Sequence, residues 1–496
     1  MKPLLRLVTR IALGLLVLLA LCIVVLVAAN WRDDPLTPEA ERLLAPPAPA
    51  SDAPNAYDVL LGMDAPDDQD ALIAGRQRRS DMDRQFRENP ARTDYGHPPR
   101  SKTICAREST PTCDWAKLRC PLKGADCVDF YLQEKARLPE FIAGQTVLRQ
   151  RYQQFSRIPV FDEPPTRSVY MPFPAYAPMM QAAEMNLMEA VLAFDKGDLT
   201  TGAQTLMQEI RVHRRFLADS SLLVSRMIAV AMLRRDYAVL SAAIEHWPPL
   251  TRQAVLAPAW QPLGAREYDL RPALQSETIA RAHTLSGSIQ SQQKLGWYAF
   301  VKQSLAEGIT QNRQLLGIPW HATLLSYFVL PHATLNLLVR WSDAQARAIS
   351  GDAAAIEARH AAQAARQTRA FDQIAPWASW RFIRNPGGKV LLKIYFGDLG
   401  PDPLAYAERI HDLDGYIRLV ALQAALRRDG VPLAEAAGYV RRAGPDLRNP
   451  YDGQPMRWDA ASATLSFEGR QKNSFNPDDA PHIFSVRLKF GQAKAN

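Results

Sequence analysis

Two Glu-x-x-His sequences are the most specific chemical signal in the chain: Glu357-Ala358-Arg359-His360 and Glu408-Arg409-Ile410-His411. Residues three apart share one face of a helix, so each pair would offer a carboxylate and an imidazole to a single metal ion. Two such pairs, joined by a glutamate from each of two further helices, build the di-iron or di-manganese site of ferritin-like bundles. Glu277 and Glu307 are available as the extra carboxylates, although nothing in the sequence selects them. The competing reading is two polar pairs facing solvent, since Arg359, Arg366 and Arg369 share the Ala-rich stretch around Glu357. The main expectation is therefore no cofactor. An iron or manganese site at Glu357, His360, Glu408 and His411 is the alternative.

Other candidates are incomplete. Ser291-Gln292-Gln293-Lys294 has the Ser-x-x-Lys spacing in which a lysine activates a serine nucleophile, but the Ser-Asp-Asn and Lys-Thr-Gly elements that accompany it are missing. Asn385-Pro386-Gly387-Gly388-Lys389 gathers glycines and a lysine without phosphate-loop spacing and reads as a turn between helices. Neither Gly-x-Ser-x-Gly nor His-Glu-x-x-His occurs. Tryptophans such as Trp247, Trp260, Trp341 and Trp377 stand beside prolines or on apolar helical faces, which makes them core before ligand platforms.

These residues sit in a chain with a strongly marked beginning. Ile11 to Ala29 are 19 residues without a charge, about 28 Å as a helix, the thickness of a hydrocarbon core. Lys2, Arg6 and Arg10 precede the segment, and basic residues stay on the cytoplasmic side. The expectation is a single-pass inner-membrane protein with a cytoplasmic N-terminus, a bilayer contact through residues 11–29 and a periplasmic body. Val27-Ala28-Ala29 leaves signal-peptide cleavage open as a rival reading. Net charge is +8 over 496 residues, a mild bias and no nucleic-acid footprint. An apolar fraction of 47% excludes intrinsic disorder.

Cysteine usage agrees with export. Cys22 lies in the anchor, and Cys105, Cys113, Cys120 and Cys127 crowd into 23 residues. Four cysteines in an exported segment read as two disulfides with three possible pairings. Sequential pairing, Cys105 with Cys113 and Cys120 with Cys127, closes the shortest loops and is favoured. Gaps of seven and eight positions lack the two-residue spacing of zinc knuckles.

The rest of the chain supplies the scaffold. Residues 1–30 are tail and anchor, and 31–100 read as a Pro-rich stalk followed by a charged linker. Residues 101–170 hold the disulfide patch and one long helix, Asp129 to Phe155. Residues 171–430 carry helical periodicity, with Ser221 as a cap for a helix ending at His246, Asp352 as a cap for one over Ala353–Phe371, and a further helix over Leu404–Arg428. Two Ala/Leu-faced stretches, Met179–Phe194 and Leu199–Leu217, flank the Gly197-Asp198 turn and resemble a tetratricopeptide-type hairpin, although no repeat of that period is found. Between Arg313 and Arg340 lie 26 uncharged residues, read as a buried helix because Pro319, Pro331, His321, His332 and Asn336 would be costly in lipid. Residues 431–496 change to turn-rich texture with short strands at Met456–Trp458, Thr464–Phe467 and Ile483–Leu488. The predicted fold class is mainly α: an N-terminal transmembrane helix, a helical-hairpin, α-solenoid-like body and a small C-terminal antiparallel β-unit.

The anchor and stalk, the cysteines before a long helix, the Asn-Pro-x-Gly-Lys of 385–389 and the Asp-Leu-Asp-Gly of 412–415 together resemble uncharacterised single-pass envelope proteins of Gram-negative bacteria. That resemblance carries no known activity. Separately, Asn449-Pro450-Tyr451-Asp452-Gly453-Gln454-Pro455 is similar to the Asp-Pro-Trp-Gly-x-Pro stretch of secretion pseudopilins, with Asn449 in place of the first Asp and one extra residue before Gly453. It is read as a shared β-turn solution. The functional expectation is a non-enzymatic membrane protein whose periplasmic helical domain binds another envelope protein or a cell-wall component. A periplasmic metalloenzyme built on the Glu-x-x-His pairs is the alternative.

Overall fold

The computed structural model describes residues 2–45, 53–90, 92–102, 104, 115–121, 126–294, 328–372, 383–396, 403–471 and 482–488. It is mainly helical, with a three-stranded antiparallel sheet near the C-terminus and an apolar helix at the N-terminus. That first helix, α1 (Lys2–Ala29), reaches a mean hydropathy of 3.3 over Thr9–Ala29 with none of it buried. Leu13, Leu16 and Val24 are each more than 60% exposed. Over that span the helix is apolar on every side and long enough to cross a bilayer.

The chain after α1 departs from the expected extended stalk. Residues 33–44, including α2 (Pro38–Leu44), lie against α14 (Pro331–Ala348). Leu36 and Leu44 pack on a small cluster of Ala282, Leu335, Leu338 and Leu392. The expected charged linker is also folded. The apolar run at 57–63 is α3 (Ala56–Leu61) and its C-terminal turn, buried throughout in the main core. At Gly75 of α4 (Ala71–Glu88) an added Cβ would fall 1.6 Å from the carbonyl oxygen of Asp58, so only glycine permits this α3–α4 approach. The crossing brings Arg79 to 3.1 Å and Arg76 to 3.6 Å from the buried Asp58 carboxylate. Charge blocks read as solvated surface are in part paired inward.

The single helix expected from Asp129 to Phe155 is three: α6 (Cys127–Gln133), α7 (Leu138–Gly144) and α8 (Thr146–Arg157). Pro139 explains the break, because proline is tolerated in a first helical turn and not in an interior. Cys120 and Cys127 form a disulfide beside α6. Cys105 and Cys113 lie outside the described residues.

The body follows the predicted pattern closely. α9 (Tyr176–Asp195) and α10 (Leu199–Asp219) form the expected hairpin, with the Asp198 side chain accepting from Thr201 N at 3.0 Å. Next comes α11 (Leu223–His246), which ends where Pro248-Pro249 begins a 3₁₀ turn. Ser221 does not cap α11 with its hydroxyl. The carboxylate of Glu163, distant in sequence, accepts from Ser221 N at 2.9 Å and Leu222 N at 2.8 Å instead. After the short α12 (Ala265–Tyr268) come α13 (Arg271–Lys294), α14, α15 (Ala353–Asp372) and α16 (Pro386–Phe396). Asp352 serves α15 as anticipated, its carboxylate accepting from Ala354 N at 3.1 Å. Residues 314–327 of the uncharged stretch lie outside the described residues, and 331–339 open α14.

α17 (Leu404–Arg428) runs through the centre, in contact with α11, α15 and the sheet. It is buried on all sides from Ala407 to Leu426, which explains why its sequence lacks a clean amphipathic stripe. α18 (Leu433–Arg442) leads to strands β1 (Arg457–Asp459), β2 (Thr464–Glu468) and β3 (Ile483–Arg487), antiparallel in that order. Trp458 pairs with Leu465, and Phe467 with Phe484. Period-2 alternation turns Leu465, Phe467, Phe484 and Val486 inward. Phe467 sits over Gly415 of α17, where an added Cβ would lie 2.4 Å from its ring.

Candidate functional site

A cleft of about 970 Å³ lies beside the C-terminal end of α1. Its walls come from the segment after α1, from one face of α14, from the start of α13 and from the loop entering α16. Local chemistry holds these parts together. Pro331 opens α14, and the Asp33 carboxylate takes the freed donors of its first turn, accepting from His332 N at 2.7 Å and Ala333 N at 3.1 Å. An acidic group at a helix N-terminus also complements the helix dipole. Asn336 clamps the next stretch, accepting from Thr37 N at 2.8 Å and donating to Pro35 O at 2.8 Å.

Asn385 is the joint. It adopts a φ of 53°, a left-handed conformation that asparagine tolerates better than most residues. Its Oδ1 accepts from Leu330 N at 2.9 Å, its Nδ2 donates to Thr334 Oγ1 at 3.0 Å, and its N–H donates to Asn30 Oδ1 at 2.7 Å. Asn30 in turn donates to Leu26 O at 2.8 Å and Ile383 O at 2.7 Å. Arg384 donates to Ala29 O at 2.8 Å and Arg32 O at 3.2 Å, and forms an ion pair with Asp34. Carbonyls of the last turn of α1 are thus satisfied by Asn30 and Arg384, and Arg384 ties the helix end to the cleft.

The cleft carries more positive than negative charge. Arg42, Arg340, Arg347, Arg384 and Lys389 line it, against Asp34, Glu39 and Asp343. Arg42 approaches Glu39 at 3.7 Å, Arg347 pairs with Asp343, and Arg384 pairs with Asp34. Arg340 is exposed and lies over the Trp341 ring, 5.8 Å from its centroid. Lys389 donates to Arg384 O at 2.7 Å, and burial together with the neighbouring Arg384 holds its ammonium below the usual lysine range. Leu43, Leu274, Leu337 and Val339 supply apolar wall. The Ser342 hydroxyl, buried at the cleft wall, has no hydrogen-bond partner among the described residues. Such a surface suits an anion attached to an apolar body.

The predicted metal residues are not gathered. Glu357 is half exposed on α15 and lies 3.3 Å from Arg470 Nη1. His360 is partly buried one turn further along α15. Glu408 and His411 face inward on α17, with His411 stacked on Tyr268 at 4.8 Å between ring centroids. Burial lowers the His411 imidazole to about 4, and its Nδ1 has no hydrogen-bond partner among the described residues. The i,i+3 argument puts each pair on one helix face, but no three ligand atoms of the two pairs come within 4.8 Å of one another. The ligand atoms that do converge among the described residues, within 4.8 Å, belong to Asp126, Asp129 and His246. There His246 Nε2 lies 3.0 Å from Asp129, and Asp126 is engaged as the cap of α6. The Ser291–Lys294 motif falls at the end of α13, where side chains lie outside the described residues.

A second polar constellation was invisible in the sequence. Asp236, His213, Glu209 and Tyr152 form a chain inside the core, each 1% exposed. His213 Nδ1 meets Asp236 at 2.6 Å, and Tyr152 Oη donates to Glu209 at 2.5 Å while lying 3.1 Å from His213 Nε2. Asn186 donates to the other Glu209 oxygen at 2.8 Å. Burial pulls the imidazole down, but Asp236 and Glu209 carry it net upward, and burial pushes Glu209 up to about 7. An Asp–His pair resembles a catalytic dyad, yet enclosure on this scale makes it a core fastening: it joins α8, α10 and α11.

The acids after the anchor and the Asn-Pro-Gly-Gly-Lys turn were the sequence signals for the cleft. They were read as linker and turn, because nothing in the sequence says that residues 300 positions apart meet. Compared with known proteins, the chain matches no family model, no curated protein and no solved structure.

Proposed function

We propose that this protein is a non-enzymatic, single-pass inner-membrane protein whose helical body lies in the periplasm and binds another envelope component in the cleft beside the anchor. The observation that carries the reading is the cleft itself, a concavity of about 970 Å³ whose floor is hydrogen-bonded to the last turn of α1. Any ligand there sits at the bilayer surface. The basic residues Lys2, Arg6 and Arg10 ahead of the anchor favour a cytoplasmic N-terminus, and the Cys120–Cys127 disulfide fits an oxidising compartment. Against the di-metal alternative, Glu357, His360, Glu408 and His411 do not bring three ligand atoms within 4.8 Å of one another.

Two experiments test the reading. A reporter that is active only outside the cytoplasm, fused after Asn496, is expected to be active in cells; activity of a cytoplasm-only reporter at that position would overturn the topology. Photocrosslinking residues placed at Leu337 and Arg340 in the cleft are expected to give discrete adducts in cells. The same residue at Ile73, exposed on α4 and outside the cleft, is the control. Equal labelling at all three positions would remove the cleft as the binding site.

A further inference from the structure

We propose that the cleft is a headgroup site for an anionic phospholipid drawn from the bilayer that holds α1. The inference deepens the functional reading above and rests on its membrane topology.

Three independent features select this ligand. The first is position: Arg384 and Asn385 line the cleft while also contacting Ala29, Arg32 and Asn30 at the end of α1, which in the proposed topology lies at headgroup level. The second is charge. Five basic side chains face three acidic ones, and the pairs at Arg42, Arg347 and Arg384 account for all three acids. Arg340 remains as an exposed cation at the cleft, and basic side chains close to a membrane attract anionic lipid. Arg340 presents a planar guanidinium, the group best shaped for two phosphate oxygens. The third is the wall. The Ser342 hydroxyl is buried there without a partner among the described residues, ready to donate to a phosphate oxygen. Leu43, Leu274, Leu337 and Val339 offer an apolar surface along which an acyl chain can lie.

A soluble phosphate would use the cationic half of this site and leave the apolar half wet. A lipid uses both. The bilayer also supplies the ligand at high local concentration, so a modest intrinsic affinity suffices.

The test uses the full chain in a neutral detergent, with phosphatidylglycerol or phosphatidylcholine added and retained lipid counted by native mass spectrometry. Phosphatidylglycerol is expected to be retained about tenfold more than phosphatidylcholine. Arg340→Glu is expected to lower that retention by about fivefold, the order of one lost basic contact at an anionic surface. Because Arg340 is exposed, this change leaves the fold intact. Leu337→Trp, which fills the apolar wall, is expected to lower retention of both lipids. Equal retention of the two lipids, or indifference to both substitutions, would overturn the proposal. Full displacement of phosphatidylglycerol by millimolar inorganic phosphate would overturn the lipid source in favour of a soluble anion. Crosslinking from the cleft to a protein without lipid retention would sink this inference and leave the broader binding function standing.

Discussion

Glu163 offers a quantitative test of how the core is held. Its carboxylate is 2% exposed and accepts three hydrogen bonds, from Ser221 N, Leu222 N and Ser225 Oγ, the last at 2.6 Å. Burial pushes it up to about 7 from an ordinary 4.5, against the downward pull of those bonds. A carboxyl whose folded value is raised binds a proton more tightly folded than unfolded. Its contribution is therefore fully present below about pH 4.5 and is lost as pH rises through about 7. The rise from 4.5 to about 7 corresponds to about 3 kcal/mol. Glu163→Gln keeps a carbonyl oxygen for the two N–H donors and removes the titration. The variant is expected to match the native chain within about 1 kcal/mol at pH 4.5 and to exceed it by about 3 kcal/mol at pH 8. In a chain of this length that is about 3 °C in thermal midpoint. Midpoints of both chains in one detergent, followed by circular dichroism from pH 4.5 to 8, give the difference curve. A difference that stays flat across the range would refute the argument that burial dominates this side chain.

Other outcomes follow from the same structure. His411 has the opposite sign: lowered by burial to about 4, it supplies stability above pH 6.5 that is lost as pH falls through 4, so His411→Gln should flatten the acid limb by about 3 kcal/mol. Reducing Cys120–Cys127 reopens a seven-residue separation, worth about 2 kcal/mol in chain entropy, and should lower the midpoint by about 2 °C. Thiol labelling of the unfolded, unreduced chain should leave both cysteines unmodified. Gly415→Ala forces a methyl group to 2.4 Å from the Phe467 ring and should cost about 1–3 kcal/mol, read as a lower midpoint with broadened indole and ring signals from the sheet.

Local signals in the sequence translated well where the structure is local. The α9–α10 turn, the bounds of α17, the Asp352 cap and the three strands all rest on residues within a few positions of one another, and each stands close to where periodicity put it. What was illegible is long-range. Residues 57–63 look like a stray apolar patch until α8 and Gly75 enclose them. Glu163 stands in a proline-broken stretch with no helix of its own, yet it caps α11. Asp198 does the same for α10 from the adjacent position and was easy to see. The Glu-x-x-His pairs mislead for a related reason: spacing reports which face residues share, and says nothing about which neighbour that face meets. Arg470 meets Glu357, and Tyr268 meets His411.

The coupling of the anchor to the body bears directly on what the cleft can do. A Pro-rich stalk would let the body wander, and a ligand in the cleft would have no fixed distance from the membrane. Here the link is short and tied at both ends. Asn30 and Arg384 close the last turn of α1, and Asp33 caps α14 three residues later. The ties are exposed or part-buried hydrogen bonds, each worth of the order of 0.5–1.5 kcal/mol. Loss of one tie leaves the others in place, so the cleft keeps its position relative to the end of α1. Asn385 is the exception, because it holds Asn30, Leu330 and Thr334 together through one strained residue. Replacing Asn385 by alanine removes its side-chain contacts to Leu330 and Thr334 and leaves a φ that alanine resists. The backbone N–H to Asn30 survives this change, so the expected result is a loosened joint in an otherwise folded body: unchanged helical content, faster proteolysis between residues 30 and 44, and weaker cleft crosslinks. Retained protection of residues 30–44 in that variant would show that the anchor is held by something other than this joint.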